Sequence, residues 1–531
     1  MGKRILIPVL ALVGLGWAWA WASPVGSSPD EAFHLTSSWC AWGAHETCVI
    51  EESGTTVEVP RQVGELACFL EGGQVSATCI DKIPFEEGIR TANLNPATGS
   101  YPPLFHAVMR VFVGSDVERS VLSMRMFNVL LAAAFLGAAL VVASPIARRA
   151  LAISWALAMV PLGLYLIASV NPSGWALIAG GTFWVFALTL VEERTLKTRR
   201  ARLALTGALL AAGVGLLSRS DQAVTLIASS LAVLVIGQLG MRRRTFILVF
   251  TLMATAVIAV ALRFRVGSYL ESRGFTWPAG DSLTNQPNPA VRLLTEIPAY
   301  LAGHFGFQPN WEPLSEANFG VPGWVNRSFV YGLGSYEVPL PSAVSVLTLL
   351  VLGILIAVGL SYLDWRKIIA ISIVLGGLLA LILTQRSLAG WGSWEESTSI
   401  FYWYLHPRYT LPLLIVALGL SLIVIPASRR LFNRAQAAFI VLALISSTTI
   451  SFLALVTRYS LGSDAGWMTL SWNGGWWWAA GPSQLALFAV CLVAGSVFFT
   501  YTVWFGLHAE ESSNLPKPAN QENPSSQHRS D

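Results

Sequence analysis

The chain has 531 residues, of which 54% are hydrophobic and only 12% charged, and its mean hydropathy is +0.58. Ordinary soluble domains carry about 25% charged residues, so this composition excludes a soluble enzyme and requires several apolar runs of about 20 residues. A net charge of +4 is no basic surplus of the kind that binds nucleic acid.

Gly2-Lys3-Arg4 precedes the apolar run from Ile5 to Ala22. A basic start with Ala20-Trp21-Ala22 at its end matches a cleaved signal peptide. The run is long for one, however, and its closing tryptophans suit a membrane interface, which favours a retained first transmembrane helix over residues 1–23. On either reading the chain emerges outside. Residues 24–120 then read as a large extracytoplasmic loop containing Cys40, Cys48, Cys68 and Cys79, whereas Cys491 lies in an apolar run. Four clustered cysteines outside predict two disulfides with three possible pairings, and the local one, Cys40–Cys48 with Cys68–Cys79, is preferred. Zinc is the rival, without Cys-x-x-Cys spacing to support it. Late in the loop the prolines of Tyr101-Pro102-Pro103-Leu104-Phe105-His106 halt regular structure. The apolar stretch after them reads as a short helix on the bilayer surface.

Residues 121–262 hold spans two to seven: Val121–Ala143, Leu151–Ser169, Gly174–Val191, Leu203–Leu217, Ala223–Gly240 and Phe246–Leu262. A second large outer loop, 263–341, is rich in Pro, Gly, Asn and Trp. Residues 342–506 hold the remaining spans, Ala343–Tyr362, Ile368–Thr384, Tyr409–Ile425, Ala435–Val456 and Leu485–Phe505, with outer loops between them. Residues 507–531 are a polar tail that reads as disordered. The inner connections carry clusters such as Arg148-Arg149, Arg242-Arg243-Arg244, Arg366-Lys367 and Arg429-Arg430, and the outer loops have no comparable run. The fold class expected is therefore an all-α polytopic membrane protein of about 12 transmembrane helices, with both termini cytoplasmic and two large loops outside.

Ser28-Pro29-Asp30-Glu31-Ala32-Phe33-His34 follows the first span. As plain structure, Ser28 suits an N-cap, Pro29 the first helical position and Glu31 the partner of a capping box. That reading requires neither Asp30 nor His34. These two share a helix face at i and i+4, and a carboxylate beside an imidazole can take a proton from a hydroxyl. Two cations stand where a phosphate would need neutralising: Arg408, with His406 two residues earlier, and Arg219 between spans five and six. Both also fit as interfacial anchors. Arg125 lies inside span two, where an ionised group must be paired or face a cavity. His106 and Asn171 stand either as site residues or as an interfacial histidine and a turn before span four. The tryptophans from Trp467 to Trp478 suit an interfacial belt or a sugar platform, and Asn310-Trp311-Glu312 suits carbohydrate.

Pro29-Asp30-Glu31…His34, Tyr101-Pro102-Pro103-Leu104-Phe105, Ser169-Val170-Asn171-Pro172 and Arg408-Tyr409…Pro412 together resemble a bacterial family of polytopic membrane proteins of unknown function. In that family the first motif usually reads Pro-Pro-Asp-Glu-x-x-His. The resemblance spans about residues 1 to 430. Ser28 replaces the first proline, Ser173 stands where an aspartate is common, and His406-Pro407 precedes Arg408 where a glycine is frequent.

That family is in turn similar to the GT-C glycosyltransferases, multi-span enzymes that use polyprenyl-phosphate sugars on the outer face of the plasma membrane. The likeness implies Asp30 as base, Glu31 as its partner and His34 as an orienting group or phosphate contact. A lipid-phosphate donor would place Arg408, His406 and Arg219 at its phosphate, and Asn171, His106 and Tyr101 are candidate substrate contacts by their placement. No tightly bound metal is expected, although a divalent cation is compatible. The expected partners are membrane lipids, a polyprenyl-phosphate-linked sugar and a glycan, lipid or protein acceptor. A flippase for a lipid-linked glycan and a non-catalytic envelope-assembly protein are the alternatives. A flippase needs ionisable residues at mid-membrane depth, and there are few beyond Arg125.

Overall fold

The computed structural model describes residues 2–52, 56–64, 68–70, 75–82, 88–91, 101–237, 333–334, 338, 340–388, 407–423, 429–462, 475–478 and 480–507. Within these it is mostly helical. The helices are α1 (Gly2–Trp21), α2 (Glu31–Trp39), α3 (Leu104–Met109), α4 (Val117–Val142), α5 (Pro145–Ile167), α6 (Pro172–Glu193), α7 (Arg199–Ser218) and α8 (Gln222–Gly237). After a gap in the described residues come α9 (Ser342–Leu360), α10 (Trp365–Leu388), α11 (Leu411–Ile423), α12 (Arg434–Leu461) and α13 (Gln484–Leu507). Eight of them, α1, α4 to α7, α9, α12 and α13, are long and apolar enough to cross a membrane, and α8 and α11 are shorter apolar helices. The seventh expected span, almost all of the second loop and the polar tail lie outside the described residues.

Helix starts follow local chemistry. Ser144, Asn171 and Thr198 each accept a backbone N–H in the first turn of α5, α6 and α7, with Pro145 and Pro172 at the first helical positions. Asn433 and Gln436 make a full capping box at α12. Helix α5 is interrupted at Val160, which has φ −105° and ψ 121° and precedes Pro161. Helix α1 packs against α4 and α13, and α6 against α4, α7, α8 and α11. The α6–α11 contact needs Gly419, because a Cβ there would lie 2.5 Å from the Trp184 ring. The indole N–H groups of Trp155 and Trp184 both donate to the Gly181 carbonyl, at 2.9 and 3.1 Å.

Among the described residues, basic connections meet in pairs, Arg200 reaching the Val142 carbonyl at the end of α4 and Arg149 reaching the segment before α12. Arg200 also pairs with Glu192 and Glu193, at 3.0 and 2.8 Å, and Arg149 donates to the Arg429 carbonyl at 2.9 Å.

The first loop departs from the all-α expectation. It carries a small antiparallel sheet in the order β1 (Val49–Ile50), β2 (Val57–Pro60), β3 (Gly88–Thr91), with Glu58 opposite Arg90. The alternation Val57-Glu58-Val59, with both valines buried, is the strand signal in this stretch. The cysteines pair locally, Cys40 with Cys48 and Cys68 with Cys79, and Cys491 is a buried thiol. Under denaturing, non-reducing conditions one thiol should react with maleimide, rising to all five after reduction. More than one reactive thiol before reduction would refute the pairing.

Arg458, near the end of α12, donates to the carbonyls of Phe69 (3.0 Å) and Val75 (2.9 Å), tying the second cystine loop to the bundle. Trp477 packs edge-on against Tyr459, while Trp478 packs on Trp21 and donates to its carbonyl at 2.8 Å. Both indoles are buried packing groups, not members of an interfacial belt or a sugar platform. Trp467, Trp472 and Asn310-Trp311-Glu312 lie outside the described residues.

Candidate functional site

The two neighbouring carboxylates after α1 have opposite environments. Glu31 is buried, and both its oxygens lie 3.2 Å from Nη2 of Arg125 on α4, with neither side chain exposed. Glu31 also accepts the backbone N–H groups of Ser28 (3.1 Å) and Val170 (3.2 Å). Arg125 also donates through Nη1 and Nη2 to the carbonyls of Ala20, Ser23 and Pro24, at 2.9, 2.6 and 2.8 Å. One buried ion pair thus joins the end of α1, the start of α2, α4 and the turn before α6.

The N-cap of α2 is Asp30, not Ser28. Its backbone is left-handed, φ 60° and ψ 18°, and its side chain makes no cap bond. Only half of the expected capping box forms, since Glu31 accepts from the Ser28 N–H while the Ser28 hydroxyl has no hydrogen-bond partner among the described residues. Aspartate is one of the few residues that tolerates the left-handed region. The turn is held from outside by Asn171 Nδ2, which donates to the Pro29 carbonyl at 2.7 Å, and by the Tyr165 hydroxyl, which donates to the Ser27 carbonyl at 2.8 Å. Asn171 Oδ1 at the same time caps α6. It is a scaffold for the Asp30 turn, and its local signal was the Asn-Pro helix start.

The Asp30 carboxylate, 51% exposed, meets Nη2 of Arg408, 7% exposed, at 2.5 Å. The same Nη2 donates to the Tyr409 hydroxyl at 2.9 Å. Arg219 completes the cationic face. It binds Asp221 through two bonds, 3.0 and 2.8 Å, donates to Ser173 Oγ at 3.0 Å, and lies 4.5 Å from the Tyr409 ring and 5.6 Å from the Tyr101 ring. Burial opposes its charge, but Asp221 and the two tyrosines outweigh that and hold its pKa above the ordinary value.

Behind these ions, His34 Nδ1 and His106 Nε2 are 3.3 Å apart, and the Tyr101 ring packs edge-on against His34 with 4.9 Å between centroids. Burial pushes His34 well below its ordinary range, and His106, Arg408 and Arg219 push it further. Burial alone takes His106 down to about 4. Both imidazoles are therefore neutral at pH 7, one donating to the other. Burial also raises the Tyr101 phenol, although Arg219 opposes this, so it stays protonated. With its folded pKa depressed, His106 binds its proton more weakly than the unfolded chain does, so stability falls as pH drops from 6.5 toward 4. The loss expected from this one residue is about 3 kcal/mol by pH 4. His106→Gln should flatten that acid limb in a pH series of thermal unfolding, and an unchanged limb would refute the assignment.

The structure thus brings together Asp30, His34, Tyr101, His106, Arg219 and Arg408 and sets Glu31 and Asn171 beneath them as support. His406 lies outside the described residues. Three members went unrecognised in the sequence as site residues: Tyr409, Ser173 and Asp221. The Arg219-Ser220-Asp221 spacing is the only local hint of the last. Among the described residues no group of three or more His, Cys, Asp or Glu is placed to hold a metal ion.

A family model described as a predicted membrane protein (DUF2142) matches residues 13–417, which include every member of this cluster. No curated protein and no solved structure matches the chain.

Proposed function

This chain belongs to the DUF2142 family of predicted membrane proteins, and on that premise we propose that it is an integral membrane glycosyltransferase of GT-C type. It moves a sugar from a polyprenyl-phosphate donor to a cell-envelope glycan, lipid or protein on the extracytoplasmic face of a bacterial plasma membrane. Its topology in this reading has about 12 spans with both termini cytoplasmic.

One observation carries the proposal: a half-exposed carboxylate, Asp30, stands in a left-handed turn against Arg408, a buried cation from a helix start far along the chain. Base and phosphate anchor are the two groups that an inverting transfer requires. The acceptor oxygen bonds to the anomeric carbon, the bond from that carbon to the phosphate oxygen breaks, and the electron pair leaves on the lipid phosphate. The hydroxyl proton passes to Asp30. Arg408, backed by Arg219, stabilises the charge that develops on the phosphate. Tyr101 and the neutral His34–His106 pair offer hydrogen bonds without adding charge. The two cystines support an oxidising, extracytoplasmic setting for the same end of the molecule. A flippase draws no support from Arg125, whose guanidinium is bound to Glu31 and three carbonyls.

The test is transfer of labelled sugar from a polyprenyl-phosphate donor to membrane acceptors by the wild-type chain, Asp30→Asn and Arg408→Gln. Full transfer by correctly inserted variants would overturn the proposal.

A further inference from the structure

The base and the phosphate anchor of the proposed site neutralise one another, and this has a mechanistic consequence. Arg408 is almost wholly buried, and a buried guanidinium needs an anionic partner. Asp30 supplies one from the exposed side. Arg219 differs: it is held by its own carboxylate two residues away through paired bonds, and by Ser173. The site therefore contains one cation whose counter-ion is built into its own loop and one whose counter-ion reaches in from solvent. Tyr409 lies against both, with its ring 4.5 Å from Arg219 and 5.0 Å from Arg408.

We propose that Asp30 is a resident counter-ion occupying the phosphate place on Arg408, and that the anionic head of a prenyl phosphate displaces it on binding. This rests on the transferase reading and deepens it, because the same displacement frees the carboxylate to accept the acceptor's proton. Without donor, an Asp30 carboxylate oxygen is engaged by Arg408. With donor, the phosphate takes over Arg408 and Asp30 is released beside the reacting sugar. After transfer Asp30 carries the proton and, being neutral, cannot compete for Arg408, so the product lipid phosphate stays bound. Loss of that proton to water restores the carboxylate, re-forms the ion pair and expels the product. The cycle orders donor binding before proton acceptance and deprotonation before product release.

The proposal has an unusual signature: removing the base should improve phosphate binding. Asparagine keeps the left-handed turn accessible and removes the competing charge. In lipid nanodiscs at low ionic strength, Asp30→Asn should bind geranyl phosphate about 5- to 10-fold more tightly than wild type. Arg408→Gln should weaken binding at least as much. In the Asp30→Asn/Arg408→Gln double variant the gain from Asp30→Asn should disappear, because it acts through Arg408. Thermal unfolding of each variant, with Asp30→Ser as a second neutral replacement, separates loss of fold from loss of binding.

Folded neutral variants that bind no more tightly than wild type, while Arg408→Gln loses binding, would overturn the exchange and leave the donor-phosphate reading standing. Failure of wild type and variants alike to bind geranyl phosphate would overturn both. Inorganic phosphate serves as the control. If it binds as tightly as geranyl phosphate and responds equally to the variants, the anchor belongs to a soluble anion and the prenyl-phosphate assignment falls.

Discussion

Replacing Arg125 by methionine is expected to destabilise the protein by about 3–5 kcal/mol, the largest effect of any single substitution considered for this chain. The reason is the charge left behind. Glu31 would keep its N–H bonds from Ser28 and Val170 but lose its cation partner among the described residues, in a place with no solvent exposure. The carbonyls of Ala20, Ser23 and Pro24 would lose their donor as well. Converting Glu31 to glutamine in the same chain removes the stranded charge, so the double variant should be more stable than Arg125→Met alone. Denaturant unfolding in mixed micelles measures both steps. Equal stability of Arg125→Met and wild type would show that this pair does not hold α1, α2 and α4 together.

Asp30→Asn should leave the fold intact and lower transfer about 10²- to 10⁴-fold, the range associated with a positioned general base. Asparagine shares the tolerance of aspartate for the left-handed turn, and the Asp30 side chain makes no cap bond whose loss would unravel α2. The neighbouring substitution should behave in the opposite way. Glu31→Gln weakens the clamp on Arg125 and should reduce folded yield, while the molecules that do fold keep the base and the phosphate anchor. A large turnover loss in well-folded Glu31→Gln, with Asp30→Asn fully active, would reverse the roles of the two acids.

The contrast between those acids marks where local reading ended. Asp30 and Glu31 are adjacent, similar in chemistry and part of one short motif. Capping rules marked Glu31 as the more structural of the two, and its bond to the Ser28 N–H agrees. Those rules also put the cap at Ser28, whereas the cap lies two residues later at Asp30, in a left-handed conformation. The Asn-Pro start of α6 was visible as a turn. That its amide also holds the Pro29 carbonyl was not, because the contact joins residues 142 positions apart. Likewise, the tryptophans at 477 and 478 look like interfacial residues by type, and packing against Tyr459 and Trp21 buries them.

By itself the sequence determined the membrane character and the approximate position of each described apolar helix, favoured the local cystine pairing among three, and singled out Asp30 and Arg408. These properties depend on neighbours within a few tens of residues: hydropathy summed over a span, a proline at a helix start, cysteines close enough to close short loops. Only the tertiary structure decided that Glu31 belongs to Arg125 and Asp30 to Arg408, partners 94 and 378 residues away. Helix packing brings those backbones together, and burial then separates two similar carboxylates, enclosing one with its cation and leaving the other half open to solvent.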